Sequence, residues 1–397
     1  MLKKQTKTAA IVIAASAALG VGLFLTSRSS SSVSSTAHAA PVAEVVAPVE
    51  IATNRDVVRP RIDVVFALDT TSSMSGMIAG AKEKIWSLAN EIASGQPRPI
   101  VRFGLVAFRD KGDAYVTKVT GLSSDMDAMY DELMGFQAQG GGDGPEHVNQ
   151  ALADSLDKMQ WEQGQKVLRI VFLVGDAPPH NDYNDGLSSA GLARKAAEMG
   201  IVINTIRTGS DASTGREWQR IASLAGGQFH SISQNGAMVA IATPYDAKLI
   251  ELNRVLADTS IGYGSHDARR KMRSKKSNRY AMSAEVAASA ASYSSKKPSA
   301  GLGRGDLLEG LESGTISMDS LDGESLSDEL RGLSSSDRKS YIKEKKVARQ
   351  AAQNKLMQLS KDRDSWIKKN TKKDKGSMDG KMMGAVKEQA AELGVSW

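Results

Sequence analysis

The chain of 397 residues is long enough for one α/β domain plus a substantial second region. Its 51 basic and 45 acidic residues are unevenly placed: Asp56–Gly264 holds 19 basic and 25 acidic residues, and residues 265–397 hold 27 basic and 18 acidic. An acidic part therefore precedes a basic one. The absence of cysteine excludes disulfides, thiolate metal sites, a cysteine nucleophile and any Cys-linked lipid.

Lys3, Lys4 and Lys7 precede Ala9–Leu25, a run of 17 uncharged and mostly apolar residues, and Ala37-His38-Ala39 offers a small-x-small cleavage pattern. Residues 1–39 read either as a signal peptide or as an N-terminal membrane anchor with its lysines inside. Both readings export the rest of the chain, to the periplasm or to the outer side of the inner membrane. Residues 40–59 read as a linker.

From residue 60 the pattern alternates strand and helix. Ile62–Leu68 is a short, mostly apolar run ending at Asp69, as a buried parallel strand should be. Ser75–Ala93 has apolar residues at helical spacing; Val101–Phe108 is a second strand, and Val116–Thr120 a short strand expected to pair antiparallel at the edge. Met126–Phe136 and Glu146–Met159 are helices, and Val167–Val174 is the most apolar strand. Helices at Ser188–Met199 and Glu217–Ala225 alternate with strands at Val202–Ile206 and Gln228–Ile232. The pattern predicts an α/β fold: a doubly wound, mostly parallel central sheet covered by helices on both faces, over residues 60–245, with a closing helix in 246–264.

Residues 265–305, rich in Ala, Ser and Lys, read as a basic linker, and 306–397 as a charged helical region. Within it, Ser336–Lys369 is a helix candidate whose apolar face would carry Tyr341, Val347, Ala351, Leu356, Leu359 and Trp366. Such a basic tail could meet anionic lipid or nucleic acid; the plainer reading is a solvated helical spacer, with nucleic acid not the expected partner.

Ligands of open α/β sheets bind beyond the carboxyl ends of the strands. Three segments converge there: Asp69-Thr70-Thr71-Ser72-Ser73 after the first strand, Gly140-Gly141-Gly142-Asp143-Gly144-Pro145-Glu146 at the start of a helix, and Asp176 after the fourth. Alternation would point the oxygens of Asp69, Thr71 and Ser73 the same way. Each segment alone could merely cap the following helix. Together they supply hard oxygen donors without His or Cys, the set that Mg²⁺ or Mn²⁺ prefers.

Asp69-x-Thr71-x-Ser73 resembles the D-x-S-x-S motif of the metal-ion-dependent adhesion site (MIDAS) of von Willebrand factor type A domains. The Gly140–Glu146 segment, Asp176-Ala177-Pro178-Pro179-His180 and Phe108–Asp113 look like its bacterial exported and hemicentin-like branch. The resemblance implies a Rossmann-like fold, with Asp69, Thr71, Ser73, Asp143 and Asp176 as metal ligands and a partner's Glu or Asp completing the shell. Arg109, Asp110, Glu146 and His180 are expected to support that set. Asp143 stands where the family usually has Thr, and three carboxylates around a 2+ ion leave a net −1. Tighter metal binding is expected, with a weaker or differently charged partner ligand.

His147 and His230 read as structural, and His180 lacks the nucleophile and oxyanion site that catalysis would require. Arg304-Gly305-Asp306 spells an adhesion tripeptide in a segment where three residues recur by chance. A Walker A pattern is absent, so no nucleotide is expected. The expected function is cation-dependent protein binding, as adhesion or scaffolding, in a bacterial cell envelope, and not catalysis. The alternatives are a metal-dependent hydrolase using the same cation and a scaffold whose tail holds lipid or nucleic acid.

Overall fold

The computed structural model describes residues 59–397 other than 143, 235–240, 322 and 372–375. The N-terminal segment, nearly all of the following linker and Asp143 lie outside the described residues. The sheet is built on β1 (Arg61–Asp69), in which every residue after the first is buried. Its neighbours are β2 (Ile100–Phe108) and β4 (Val167–Gly175), both parallel, with Asp69 opposite Phe108 and Leu68 opposite Val174. β5 (Ile201–Thr208) and β6 (Phe229–Ile232) extend one side in parallel, and β3 (Thr117–Ser123) closes the other edge antiparallel. The order β3-β2-β1-β4-β5-β6 makes this a mostly parallel, doubly wound sheet. Chain direction across the sheet reverses between β1 and β4, so a crevice opens beyond their carboxyl ends.

Strand periodicity divides the core. Ile62, Val64, Phe66 and Leu68 point to one face and Val65 and Ala67 to the other. On the first face Phe66 stacks between Phe103 and Phe172, with ring centroids 6.3 and 6.0 Å away. That face is covered by α1 (Ser75–Ile92) and α2 (Met126–Met134), the opposite one by α3 (Val148–Asp157), α4 (Ser189–Glu198) and α5 (Ala212–Leu224).

Beyond the sheet run α6 (Asp246–Thr259), α7 (His266–Ala281), α8 (Ala284–Ser294), the short α9 (Leu307–Glu312) and α10 (Asp328–Arg331), then α11 (Ser335–Asn370) and α12 (Met378–Ala391). The helix that follows the last strand does not close the sheet. Leu249, Leu252 and Leu256 of α6 pack on Ala288 and Ala291 of α8 and on Ala352 and Leu356 of α11. The sheet is closed by α12 instead: Met382, Met383, Val386 and Ala390 share the core of β1 and α1. Gln389 exchanges two hydrogen bonds with the buried Asn204 side chain of β5, at 3.1 and 2.9 Å.

Residues 265–305, expected as a linker, contain α7 and α8. All residues of α8 from Val286 to Ser294 are buried, because its small Ala and Ser side chains let its axis approach α1 and α6 closely. Composition concealed this: a segment poor in large apolar residues still packs where its neighbours supply the bulk, here Trp86 of α1 edge-on to its Tyr293 at 5.7 Å.

The charge asymmetry is internal as well as superficial. Arg279 of α7 forms a buried two-point pair with Asp127 of α2, at 2.6 and 2.9 Å, and Lys275 reaches Asp125 at 2.7 Å. Arg363 of α11 meets Asp246 of α6 at 3.0 Å, and Arg349 meets Asp306 at 2.7 Å. The expected apolar face of α11 is accordingly displaced. Val347 and Ala351 are exposed, and the buried stripe is Ile342, Arg349, Ala352, Leu356, Ser360 and Arg363.

Candidate functional site

The three segments meet at the carboxyl edge of the sheet, over the crevice between β1 and β4. Asp69 is buried at the end of β1, and its Oδ1 accepts from the Thr71 amide at 2.8 Å and from Thr71 Oγ1 at 2.7 Å. Thr71 Oγ1 lies 3.3 Å from Ser73 Oγ, so the three oxygens form one chain. Helix capping does not account for them: neither the short 3-10 turn at Ser72–Met74 nor α1 receives a side-chain cap.

Asp176 joins from the end of β4. Its Oδ2 accepts from Gln234 Nε2 at 2.6 Å, and the same amide donates to the Ser73 carbonyl at 3.2 Å, tying the first and third segments together. Gly175 permits that approach: a Cβ there would stand 3.0 Å from Asp69 Cβ and 3.0 Å from the Trp218 ring.

The glycine segment closes from the other side. The Gly140 carbonyl accepts from the Ser72 amide and hydroxyl at 3.2 and 2.8 Å. Gly140 and Gly141 have φ of +80° and +79°, a region that favours glycine. The Gly141 amide donates to Asp113 Oδ2 at 3.1 Å, and a Cβ on Gly141 would stand 3.2 Å from Thr71 Cβ and 3.3 Å from Glu146 Oε1. Glu146 lies alongside Pro178–His180, with its amide on the Pro178 carbonyl and its carbonyl accepting from the His180 amide, both at 3.0 Å. Its Oε2 is buried and has no hydrogen-bond partner among the described residues.

Electrostatics follow from that crowding. Burial first, then repulsion from Asp176, pushes the Asp69 carboxyl up to about 7, against the pull of its Thr71 hydrogen bonds. Burial, followed by repulsion from Asp69, Asp110, Asp113 and Asp176, pushes Glu146 up to about 9. The rim is thus short of positive charge. Among the described residues no three carboxylate or imidazole groups converge as a metal-binding set, so the donors gathered are two carboxylates with two hydroxyls.

The surrounding residues divide. Arg109 is buried and donates to the Thr70 carbonyl at 3.2 Å and the Gln137 carbonyl at 2.7 Å, clamping the first segment to the approach of the second; its guanidinium lies 4.4 Å over the Tyr115 ring. Asp110 sits beside the rim, close enough for its charge to act on Glu146. It accepts from the Tyr183 hydroxyl, and His180 Nε2 stands 3.5 Å from it. The His180 ring stacks on Tyr183 at 4.1 Å, with Nδ1 2.7 Å from Asp182. His147 caps α3 through Nδ1, and His230 sits on β6, where burial lowers its pKa, ahead of the charges of Lys381 and Glu388. Asp306 of the Arg-Gly-Asp tripeptide is buried in its pair with Arg349 and is not displayed.

Sequence reading missed Gln234, Asp113 and Gly175. Their contribution is contact across loops far apart in sequence, which no local spacing signals.

Residues 63–243 match the family of the von Willebrand factor A domain. They form a von Willebrand factor A domain. An ariadne-like RING finger protein of Acanthamoeba polyphaga mimivirus is 28% identical over 123 residues, 31% of this chain and only 12% of that relative's length. Among solved structures, BatB of Bacteroides thetaiotaomicron is 17% identical, over 43% of this chain and 90% of BatB, with a TM-score of 0.32. The proximal thread matrix protein 1 of the mussel byssus, whose MIDAS motif is occupied by zinc, is 19% identical, over 44% of this chain and 42% of that one, with a TM-score of 0.35. In the present VWA domain the rim is assembled by β1, β4 and the glycine segment, with Gln234 contributed from beyond β6.

Proposed function

We propose that the VWA domain is a divalent-cation-dependent protein-binding module of the bacterial exported, hemicentin-like branch, working as an adhesion or scaffold element in the cell envelope. The observation that carries this reading is the meeting of Asp69, Thr71, Ser73 and Asp176 above the β1/β4 crevice, in a buried acidic setting. The residues fit a hard cation. Their donors are all oxygen, and the unpaired Glu146 oxygen and raised carboxyl pKa values mark negative charge that the protein does not neutralise. Mg²⁺ or Mn²⁺ would be held by Asp69, Thr71, Ser73 and Asp176, with Asp143 from the glycine segment. Bound there, the cation supplies an open coordination position for an oxygen of the partner protein.

The test is a pull-down from envelope extract with and without EDTA, comparing the wild-type chain with Asp69→Ala. Specific partners should be retained only by the wild type and only with metal present. Capture that is indifferent to both EDTA and Asp69→Ala removes the reading. A second reading, a metal-dependent hydrolase, is favoured only by the Tyr183–Asp110–His180 contacts beside the rim. Turnover of phosphoester or peptide substrates that disappears in Asp176→Ala would establish it.

A further inference from the structure

The end of the molecule opposite the rim carries a different chemistry. The described chain begins at Arg59, where it turns into β1, and β1 then crosses the sheet to Asp69, about 27 Å away at the usual rise per residue. At this far end the Arg59 guanidinium donates to the Arg98 carbonyl at 3.3 and 3.2 Å. Arg98 in turn donates to the Lys296 carbonyl at 3.1 Å. Both arginines are exposed, and both bond to carbonyls rather than carboxylates, so these contacts leave their charge unneutralised. Lys296 reaches Asp364 of α11 at 3.4 Å, which brings the last turns of that helix to the same end. Lys361 and Lys368 stand one turn to either side of Asp364, followed by Lys369, and all three lysines are exposed. Among the described residues no ion pair engages Lys361, Lys368 or Lys369; of the two carboxylates in these turns, Asp364 is taken up by Lys296 and Asp362 accepts from Gln358 at 3.0 Å.

Elsewhere in the tail part of the positive charge is turned inward. Its arginines at 279, 349 and 363 are buried in pairs with carboxylates, whereas the lysines of the last turns of α11 stand at the surface beside the start of β1. Among the described residues these five cations have no ion pair, and spread over a surface they hold a diffuse positive field that an extended anionic surface satisfies better than one small anion. The sequence indicates which surface. The chain reaches Arg59 from the uncharged run Ala9–Leu25, long enough at 17 residues to enter a bilayer.

We propose that the face formed by Arg59, Arg98, Lys361, Lys368 and Lys369 docks on the headgroups of an anionic membrane and so holds the metal rim pointing away from the bilayer. Lysines near an anionic leaflet each strengthen such contact about fivefold, an effect that salt removes within a Debye length.

The cysteine-free chain permits a direct test. Full-length protein carrying Ser365→Cys, on the lysine face, or Ser210→Cys, beside the rim, is labelled with a fluorophore. It is reconstituted with vesicles containing phosphatidylglycerol and a spin-labelled lipid as quencher. The label at position 365 should be quenched and the label at 210 should not. Quenching at 365 should be lost in 0.5 M salt, in vesicles of phosphatidylcholine alone, and in the triple variant Lys361→Glu, Lys368→Glu, Lys369→Glu, whose weakening should exceed a hundredfold. These positions are on the surface, and an unchanged circular dichroism melt shows that the variant folds. The proposal is overturned by an unquenched label at 365, by equal quenching in phosphatidylcholine, by quenching at 210, or by tighter binding of the face to double-stranded DNA than to the anionic vesicles.

Discussion

Asp69 and Glu146 set the stability of the rim, and they do so against the usual direction for carboxylates. Above about pH 5 an unfolded chain has both groups mostly ionised, whereas in the folded protein Asp69 holds its proton up to about 7 and Glu146 up to about 9. Unfolding therefore releases protons across this window, and stability falls as pH rises, by at most about 1.4 kcal/mol per pH unit for each carboxyl. Metal-free protein should melt at a higher temperature at pH 5 than at pH 8. A divalent cation, which binds the ionised forms, should reverse the order and release protons on binding at pH 7. Glu146→Gln isolates one contribution. It should raise the pH 8 melting temperature of the metal-free protein while weakening Mg²⁺ affinity by tenfold or more, read by calorimetry. A flat pH profile, or Glu146→Gln that leaves both quantities unaltered, would show that the rim's charge is neutralised from within. That Asp69, Thr71, Ser73 and Asp176 would gather at one edge of the sheet was legible in sequence, because alternation and strand ends are local signals. Glu146 was legible only as a supporting residue, and Gln234, Asp113 and Gly175 not as site residues at all, because their roles depend on loops up to 161 residues apart meeting in space.

Helices and strands of the sheet were readable from periodicity, since buried parallel strands show continuous apolar runs and their helices a 3.6-residue pattern. The helices after β6 were harder, because their burial depends on ions and small side chains. In α7 the inward positions are Met272, Lys275 and Arg279, a face that polarity alone assigns to solvent. The Arg279–Asp127 pair is the sharpest test of this. Arg279 also donates to Asn253 Oδ1 at 2.6 Å and lies 4.5 Å over the Trp86 ring, joining α7, α6, α2 and α1. Asp127→Ala leaves the guanidinium buried without its counter-charge and should cost about 3–5 kcal/mol in urea unfolding. Replacing both partners, Asp127→Leu with Arg279→Met, should recover most of that loss. Equal destabilisation by the single and double variants would mean that the cavity, rather than the stranded charge, sets the cost.

For the molecule as a whole, the tail is part of the domain's architecture, and this changes how the protein can be dissected. Residues Asp56–Trp397 form one compact unit. α12 contributes Met378, Met382, Met383 and Val386 to the core beneath β1 and β4, and the chain ends with Ser396 bridged to Gln96 and Trp397 Nε1 donating to the Glu91 carbonyl at 2.7 Å. At about 1.5–3 kcal/mol for each large apolar side chain, the four residues contribute roughly 6 kcal/mol or more. That is comparable with the whole stability of an ordinary domain, about 5–15 kcal/mol. A chain ending at Asn370 should therefore lose cooperative melting near room temperature and bind a hydrophobic dye through the uncovered sheet. It should also lose affinity for Mg²⁺, because β4, which delivers Asp176 to the rim, would lack its cover. A fragment of residues 265–397 alone should in turn expose Lys275 and Arg279, cations that the intact protein keeps inside, so its salt-sensitive binding to polyanions should exceed that of the full chain. Should the shortened chain melt like the intact one and titrate Mg²⁺ equally well, α12 is an appendage, and the sheet is completed without it.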